Sequence, residues 1–165
     1  SLSVNCESYE ELEKEAEMAD AFRLLFRSPT YFASLGSDYH WMFPDAVKVF
    51  SSLMRVWNLF SDGRRFGKEE YVAYKEWLTK NVGVSEYELW TRLAVMRRKK
   101  ATGFVGWVTY ELKDLKSEWN KITCMLAKYA EYANIGGNKT GGFGVTRFIP
   151  PPASNKAEES AHSKI

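Results

Sequence analysis

Phe104-Val105-Gly106-Trp107-Val108-Thr109-Tyr110-Glu111-Leu112 is the stretch that decides the architecture. Val105, Trp107, Thr109 and Glu111 fall on one side and Phe104, Val108, Tyr110 and Leu112 on the other, which is the period of a β-strand. Just upstream, Tyr87, Leu89, Trp90, Leu93, Val95 and Met96 mark residues 87–97 as another strand. Between the two lies Arg97-Arg98-Lys99-Lys100-Ala101-Thr102-Gly103, so the pair reads as a hairpin with a basic tip.

Upstream of the hairpin, Phe22, Leu24 and Phe26 recur at period two in residues 21–27, a strand with one buried face. Ser28-Pro29 is expected to end it, because proline cannot extend a ladder. A loop through Gly36 and Asp38 leads to Pro44, placed near a helix start where its missing N–H costs nothing. Ala46, Val49, Phe50, Leu53, Met54, Trp57 and Phe60 then form the strongest amphipathic stripe in the chain, running to Ser61-Asp62-Gly63. Residues 68–81 predict a more polar helix with Val72, Trp77 and Leu78 inward, stopping near Asn81 and Gly83, and read as an insertion.

Downstream of the hairpin, Trp119, Ile122, Leu126, Tyr129, Ala130 and Ala133 give a long helix over 117–134. It ends at Ile135-Gly136-Gly137, and Val145–Phe148 follows as a short strand. At the other end of the chain, Ser8-Tyr9-Glu10-Glu11 is a capping-box pattern that opens a short acidic helix over 8–17, with Leu2 and Val4 before it as the end of a strand. The order is βαββαβ with one inserted helix. That is an α+β, ferredoxin-like fold: an antiparallel sheet with helices on one face and the other face open. In RNA-recognition relatives of such folds the open face stacks bases. The expected organisation is a lead-in with a short acidic helix over 1–18, the ferredoxin-like domain over 19–149, and a disordered tail over 150–165 after Pro150-Pro151-Pro152.

Composition sets the outer limits. The 165 residues are 45% hydrophobic and 27% charged, which suits one globular domain with tails and excludes a collagen-like or wholly disordered chain. No run approaches the roughly 18 apolar residues of a membrane span, and the first residues lack the basic and apolar regions of a signal peptide. A cytoplasmic location and no membrane partner are the expectations. Cys6 and Cys124 form no CxxC, and His40 and His162 are the only histidines, which argues against a zinc site or a Ser-His-Asp triad. The net charge of +2 conceals −5 over residues 1–18, zero over 149–165 and +7 over the body between them. A basic body is compatible with a polyanion partner.

Residues 136–144 hold five glycines around Lys139. A Walker loop does not fit, since Ala133 stands where its first glycine belongs and the segment runs from helix to strand. The dinucleotide fingerprint fails at Arg147. Asn138-Lys139-Thr140 matches a glycosylation sequon, but nothing routes the chain through a secretory pathway. A tight connection needs one or two glycines; five with an interleaved lysine point to backbone contact with an anionic ligand.

Three landmarks together resemble the CRISPR-associated endoribonuclease of the RAMP superfamily that cuts precursor CRISPR RNA at its repeats. Phe26-Arg27-Ser28-Pro29-Thr30-Tyr31-Phe32 is similar to that family's strand ending in a TPT-F turn, with Arg27-Ser28 where a threonine is more usual. Pro44-Asp45-Ala46-Val47, Phe50-Ser51-Ser52-Leu53 and Arg55-Val56-Trp57-Asn58 are similar to its P…F-S-L…R-W-N helix. Ala130-Glu131-Tyr132 through Gly144 resembles its terminal glycine-rich loop, after a hairpin strand with Gly103 and Gly106. The landmarks span about 26–148, in order, and correspond to the family's C-terminal half.

Family members carry two such domains in tandem and this chain has room for one; the general acid/base, often a histidine or lysines, belongs to the first. The resemblance therefore implies CRISPR repeat RNA binding without a complete active site, in an enzyme whose cleavage is metal-independent and needs no cofactor. In that chemistry a 2′-OH attacks the adjacent phosphate to leave a cyclic phosphate, which calls for a base, an acid and cations. It further implies RNA contacts at Gly136, Gly137, Asn138, Lys139, Thr140, Gly141 and Gly142, with Lys139 the phosphate ligand. Arg97, Arg98, Lys99 and Lys100 would grip the RNA backbone and Arg147 would add a contact. Catalytic residues are left unassigned.

Other readings stay open. The chain could be a non-catalytic RAMP-type subunit holding guide RNA among other CRISPR effector subunits, or a plain protein–protein module. His40 reads either as a base or as a surface or loop-packing histidine. Trp57, Trp107 and Trp119 are expected in the core, while Trp41, Trp77 and Trp90 are unplaced and available to stack a base. Glu10–Glu17 reads as a solvated helix face or a contact with the missing domain.

Overall fold

The capping box at Ser8 forms in full. In this computed structural model the Ser8 hydroxyl accepts the Glu11 N–H and the Glu11 carboxylate accepts the Ser8 N–H, opening α1 (Tyr9–Glu15). The structure describes residues 8–151 except 97, 98 and 138. The expected strand end at Leu2 and Val4, Cys6, the tail from 152 onward with His162, and the sites at Arg97, Arg98 and Asn138 lie outside the described residues. The remaining elements are β1 (Ala21–Thr30), α2 (Ala46–Phe60), α3 (Lys68–Asn81), β2 (Val82–Met96), β3 (Lys99–Leu112), α4 (Glu118–Ala133) and β4 (Thr146–Ile149). All three strand pairings are antiparallel, in the order β2-β3-β1-β4. This is the ferredoxin-like sheet that the element order predicts.

The helices cover one face of the sheet. Phe22, Leu24 and Phe26 of β1 and Phe104, Val108, Tyr110 and Leu112 of β3 point into the core, as their alternation requires. α2 supplies Val49, Phe50, Leu53, Met54 and Trp57. Its N-cap is Asp45, whose carboxylate accepts the Lys48 N–H, so Pro44 lies just outside the helix rather than in its first turn. The Pro44 carbonyl takes the buried Tyr110 hydroxyl at 2.6 Å. Asn120 on α4 acts as a peptide mimic, exchanging two hydrogen bonds with the backbone of Ala19 and tying the start of β1 to α4. α1 joins the same core through Leu12 and through Tyr9, which meets Trp57 edge-on and Tyr129 hydroxyl to hydroxyl.

Several expectations are corrected. Ser28-Pro29 does not end β1: the strand passes through it with a register shift between Phe26 and Thr30. A bulge absorbs the proline, which has no N–H to contribute. Phe60 and Val72 are exposed, because α2 and α3 turn those positions to solvent, and fully buried Tyr74 anchors α3 instead. β2 begins at Val82, directly after α3 and five residues before the expected start at 87. β3 begins at Lys99, which makes Lys99–Gly103 part of a strand and not of a turn. Trp107 is not a core residue. It lies on the open face, under the Arg23 guanidinium at 3.8 Å from the ring centre. Trp77, by contrast, is buried in the core.

Candidate nucleic-acid interface

The glycine-rich connection begins where α4 ends. Asn134 caps the helix with φ 59° and its N–H returns to the Ala130 carbonyl. Backbone hydrogen bonds then sew the loop to the bulged end of β1. Gly137 N–H donates to Tyr31 O (3.0 Å), Gly144 N–H to Pro29 O (3.0 Å) and Ile135 N–H to Gly144 O (2.9 Å). Val145 N–H donates to the Ser28 hydroxyl at 2.8 Å and Arg27 N–H to Val145 O at 2.8 Å. Two positions show why glycine is required. A Cβ on Gly137 would lie 2.6 Å from Cε2 of Tyr31. Gly144 has φ 75° and a Cβ there would collide with the Ile135 carbonyl. Three of the five glycines, Gly136, Gly137 and Gly144, serve this close approach, more than the one or two a tight connection is expected to need. Gly142, at φ 86°, faces open space and its N–H closes the single 3-10 turn Lys139–Gly141 on the Lys139 carbonyl.

Lys139 stands at the start of that turn, half-buried. Burial holds its ammonium below the usual lysine range, and the charge of Arg55 on α2 pushes the same way. Among the described residues no carboxylate lies within ion-pair distance of Lys139. Two cations that repel each other at a glycine-rich turn form a site that an oxyanion would relieve. Sequence reasoning quotes Arg55 only as part of a helix motif; its approach to Lys139 is tertiary.

The basic hairpin leaves the sheet at the same corner. β1 pairs with β3 only as far as Thr30↔Phe104, so the ribbon from Arg92↔Gly103 to Met96↔Lys99 runs on beyond β1. Gly103 packs so closely on the Pro29–Thr30 backbone that a Cβ would collide with the Thr30 nitrogen. The end of β1 thus joins the glycine-rich loop on one side to the root of the ribbon on the other. Lys100 is exposed on that ribbon and Lys99 lies at its described end. Arg147, on β4, shares the row Arg147–Leu25–Trp107 on the open face. Beside that row, Arg23 bonds Thr109 at 3.1 Å and reaches Glu86 at 3.7 Å, a cation that no sequence motif singles out.

Nothing among the described residues offers an obvious reacting pair. No cluster of His, Cys, Asp and Glu there could hold a metal ion. Burial pushes the Cys124 thiol up to about 11, so it stays protonated at neutral pH. Tyr74 and Tyr110 are fully buried and held above the usual phenol range by desolvation. His40 is exposed and stacks on Tyr31, with ring centres 4.0 Å apart. No helix among the described residues is long and apolar enough to cross a membrane.

Comparison with known proteins gives consistent results. Residues 24–146 match the family model of the CRISPR-associated endoribonuclease Cas6. The Thermus thermophilus Cas6 structure superposes with a TM-score of 0.78 at 22% identity, covering 87% of this chain and 58% of that one. A Cas6 solved as a product complex gives a TM-score of 0.73 at 26% identity, covering 86% of this chain and 56% of that one. A Cas6 substrate mimic complex gives 0.69 at 26% identity, covering 86% and 58%. The chain thus spans less than two thirds of the length of the solved structures it matches. No curated protein matches the sequence.

Proposed function

The chain belongs to the family of the CRISPR-associated endoribonuclease Cas6, and from that membership we propose that it binds CRISPR repeat RNA and serves precursor processing as the C-terminal, RNA-holding half of the enzyme. In this reading residues 19–149 form the RNA-holding unit, and a preceding domain supplies the acid and base that move protons between the ribose 2′-OH, the scissile phosphate and the leaving oxygen. This half contributes cations and backbone donors that hold phosphates on either side of the cut. Lys139, with Gly136, Gly137, Asn138, Thr140, Gly141 and Gly142 around it, takes one phosphate. Arg97, Arg98, Lys99 and Lys100 grip the backbone further along, and Arg147 adds a contact from the open face.

The observation that carries this reading is the half-buried Lys139, with no carboxylate within ion-pair distance among the described residues, on a loop sewn to the root of a basic ribbon. The span of 56–58% of the solved relatives supports the half-enzyme part. The test is titration of the chain against the CRISPR repeat RNA of its own genome at two salt concentrations. Wild type should bind with an affinity that falls steeply with salt. Lys139→Ala should weaken binding and lower the salt slope by about one. The chain alone should leave the RNA uncut. Equal binding by both proteins rejects the loop as the phosphate site, and cyclic-phosphate product from the chain alone rejects the half-enzyme reading.

A further inference from the structure

Residues 33–40 form a loop closed by a two-way backbone bridge, with Phe32 N–H on Trp41 O at 3.0 Å and Trp41 N–H on Phe32 O at 2.8 Å. The Trp41 indole donates to Asp45 at 2.9 Å, the carboxylate that caps α2, so the returning leg of the loop is anchored at a helix start. His40 is the residue before this bridge. It lays its imidazole flat on the Tyr31 ring, the planes only 7° apart. Tyr31 is itself immobilised. Its carbonyl takes the Gly137 N–H, Gly137 presses on its ring, and buried Phe143 meets that ring edge-on at 5.9 Å. The result is a rigid two-ring stack built on the glycine-rich loop, ending in an exposed imidazole.

We propose that His40, backed by Tyr31, is a stacking platform for one unpaired nucleobase of the RNA strand whose phosphate sits on the neighbouring glycine-rich loop. The chemistry is that of single-strand recognition, in which a base lies on a pre-ordered aromatic face and the backbone lies on cations. The stack and the bridge remove most of the freedom an exposed side chain would otherwise lose on binding. Tyr31 does not touch the base; it is a positioning residue. The platform rests on the RNA-binding reading above and adds to it a base contact that the phosphate site does not require.

The experiment compares wild type, His40→Ala, His40→Phe and Lys139→Ala in binding a fluorescein-labelled repeat RNA, and the same RNA carrying an abasic site at each position in turn. Thermal unfolding checks that each variant is folded. His40→Ala should weaken binding by about 5- to 100-fold, the range for loss of one stacked base. His40→Phe should retain most of the affinity. One abasic position should weaken wild type by a similar factor and leave His40→Ala little changed. Full affinity in His40→Ala, with loss in Lys139→Ala, overturns the platform and keeps the phosphate site. Equal loss in His40→Ala and His40→Phe also overturns it, because the ring nitrogens rather than the ring face would then be the contact. No RNA binding by folded wild type overturns both readings.

Discussion

Gly142 and Gly144 have nearly the same backbone angle and different surroundings, and the difference is measurable. An alanine at Gly142 meets nothing within 4 Å and pays only for its positive φ. It should destabilise the fold by about 1–2 kcal/mol. An alanine at Gly144 pays the same and also collides with the Ile135 carbonyl, so the backbone must shift. Its urea midpoint should fall well below that of Gly142→Ala; equal midpoints would show that the loop is not held against Ile135. Lys139 makes the opposite kind of case. Its charge is disfavoured in the folded state, so Lys139→Gln should leave the urea midpoint unchanged or raised at pH 7 while RNA affinity drops. A lowered midpoint would mean that the lysine stabilises the fold. At this scale the sequence marks Lys139 and the glycine cluster. It is silent on Tyr31 and Ile135, the partners that make glycine necessary, because those contacts join segments remote in the chain.

Helices and strands were legible in existence and order because each carries a clear period and, for α1, α2 and α4, a capping residue at its start. The Asp45 cap belongs to this scale. Asp45→Ala removes the acceptor for Lys48 N–H and the partner of the Trp41 indole, and should cost about 1–2 kcal/mol in denaturant unfolding. Boundaries were less legible. The β3 leg of the ribbon, Lys99-Lys100-Ala101-Thr102-Gly103, carries no large hydrophobic side chain, so it looks like a turn. Pro29 looks like a terminator because a bulge depends on pairing that sequence alone does not display. The ribbon's charges should act separately from the core. Replacing Lys99 and Lys100 together by serine should weaken repeat RNA binding across sequences and reduce the salt slope by about one to two units, with the unfolding midpoint unchanged. An unchanged slope would take the ribbon out of the interface.

For the whole molecule, the buried phenols and thiol predict how stability responds to alkali. Tyr74, Tyr110, Tyr129 and Cys124 are all held neutral by burial, above their ordinary values of 10.0 and 9.0. In the unfolded chain these groups ionise at the ordinary values, so the unfolded state loses protons first. Their contribution to stability is complete below pH 9 and is lost as pH rises, for Cys124 between 9.0 and about 11. Lys139 works in the opposite direction over the top of the range, one group against four. The urea midpoint should therefore fall from pH 8.5 to 10.5 by more than the loss of surface ion pairs gives in high salt. A flat profile would contradict the burial of these groups.

The sequence by itself determined the class of the fold, the order of its elements, most of the core face of α2, the two alternating faces of β3, and the family. All of these follow from local periodicity, capping and short motifs that neighbouring residues carry between them. Only the tertiary structure decided what lies beside what. The register of β1 against β3 set Trp107 under Arg23 on the open face. The hydrogen bonds from Gly137 and Gly144 brought the glycine-rich loop to the end of β1, and the packing of α2 set Arg55 near Lys139. Proximity of this kind depends on long-range pairing and side-chain packing, which no local pattern encodes.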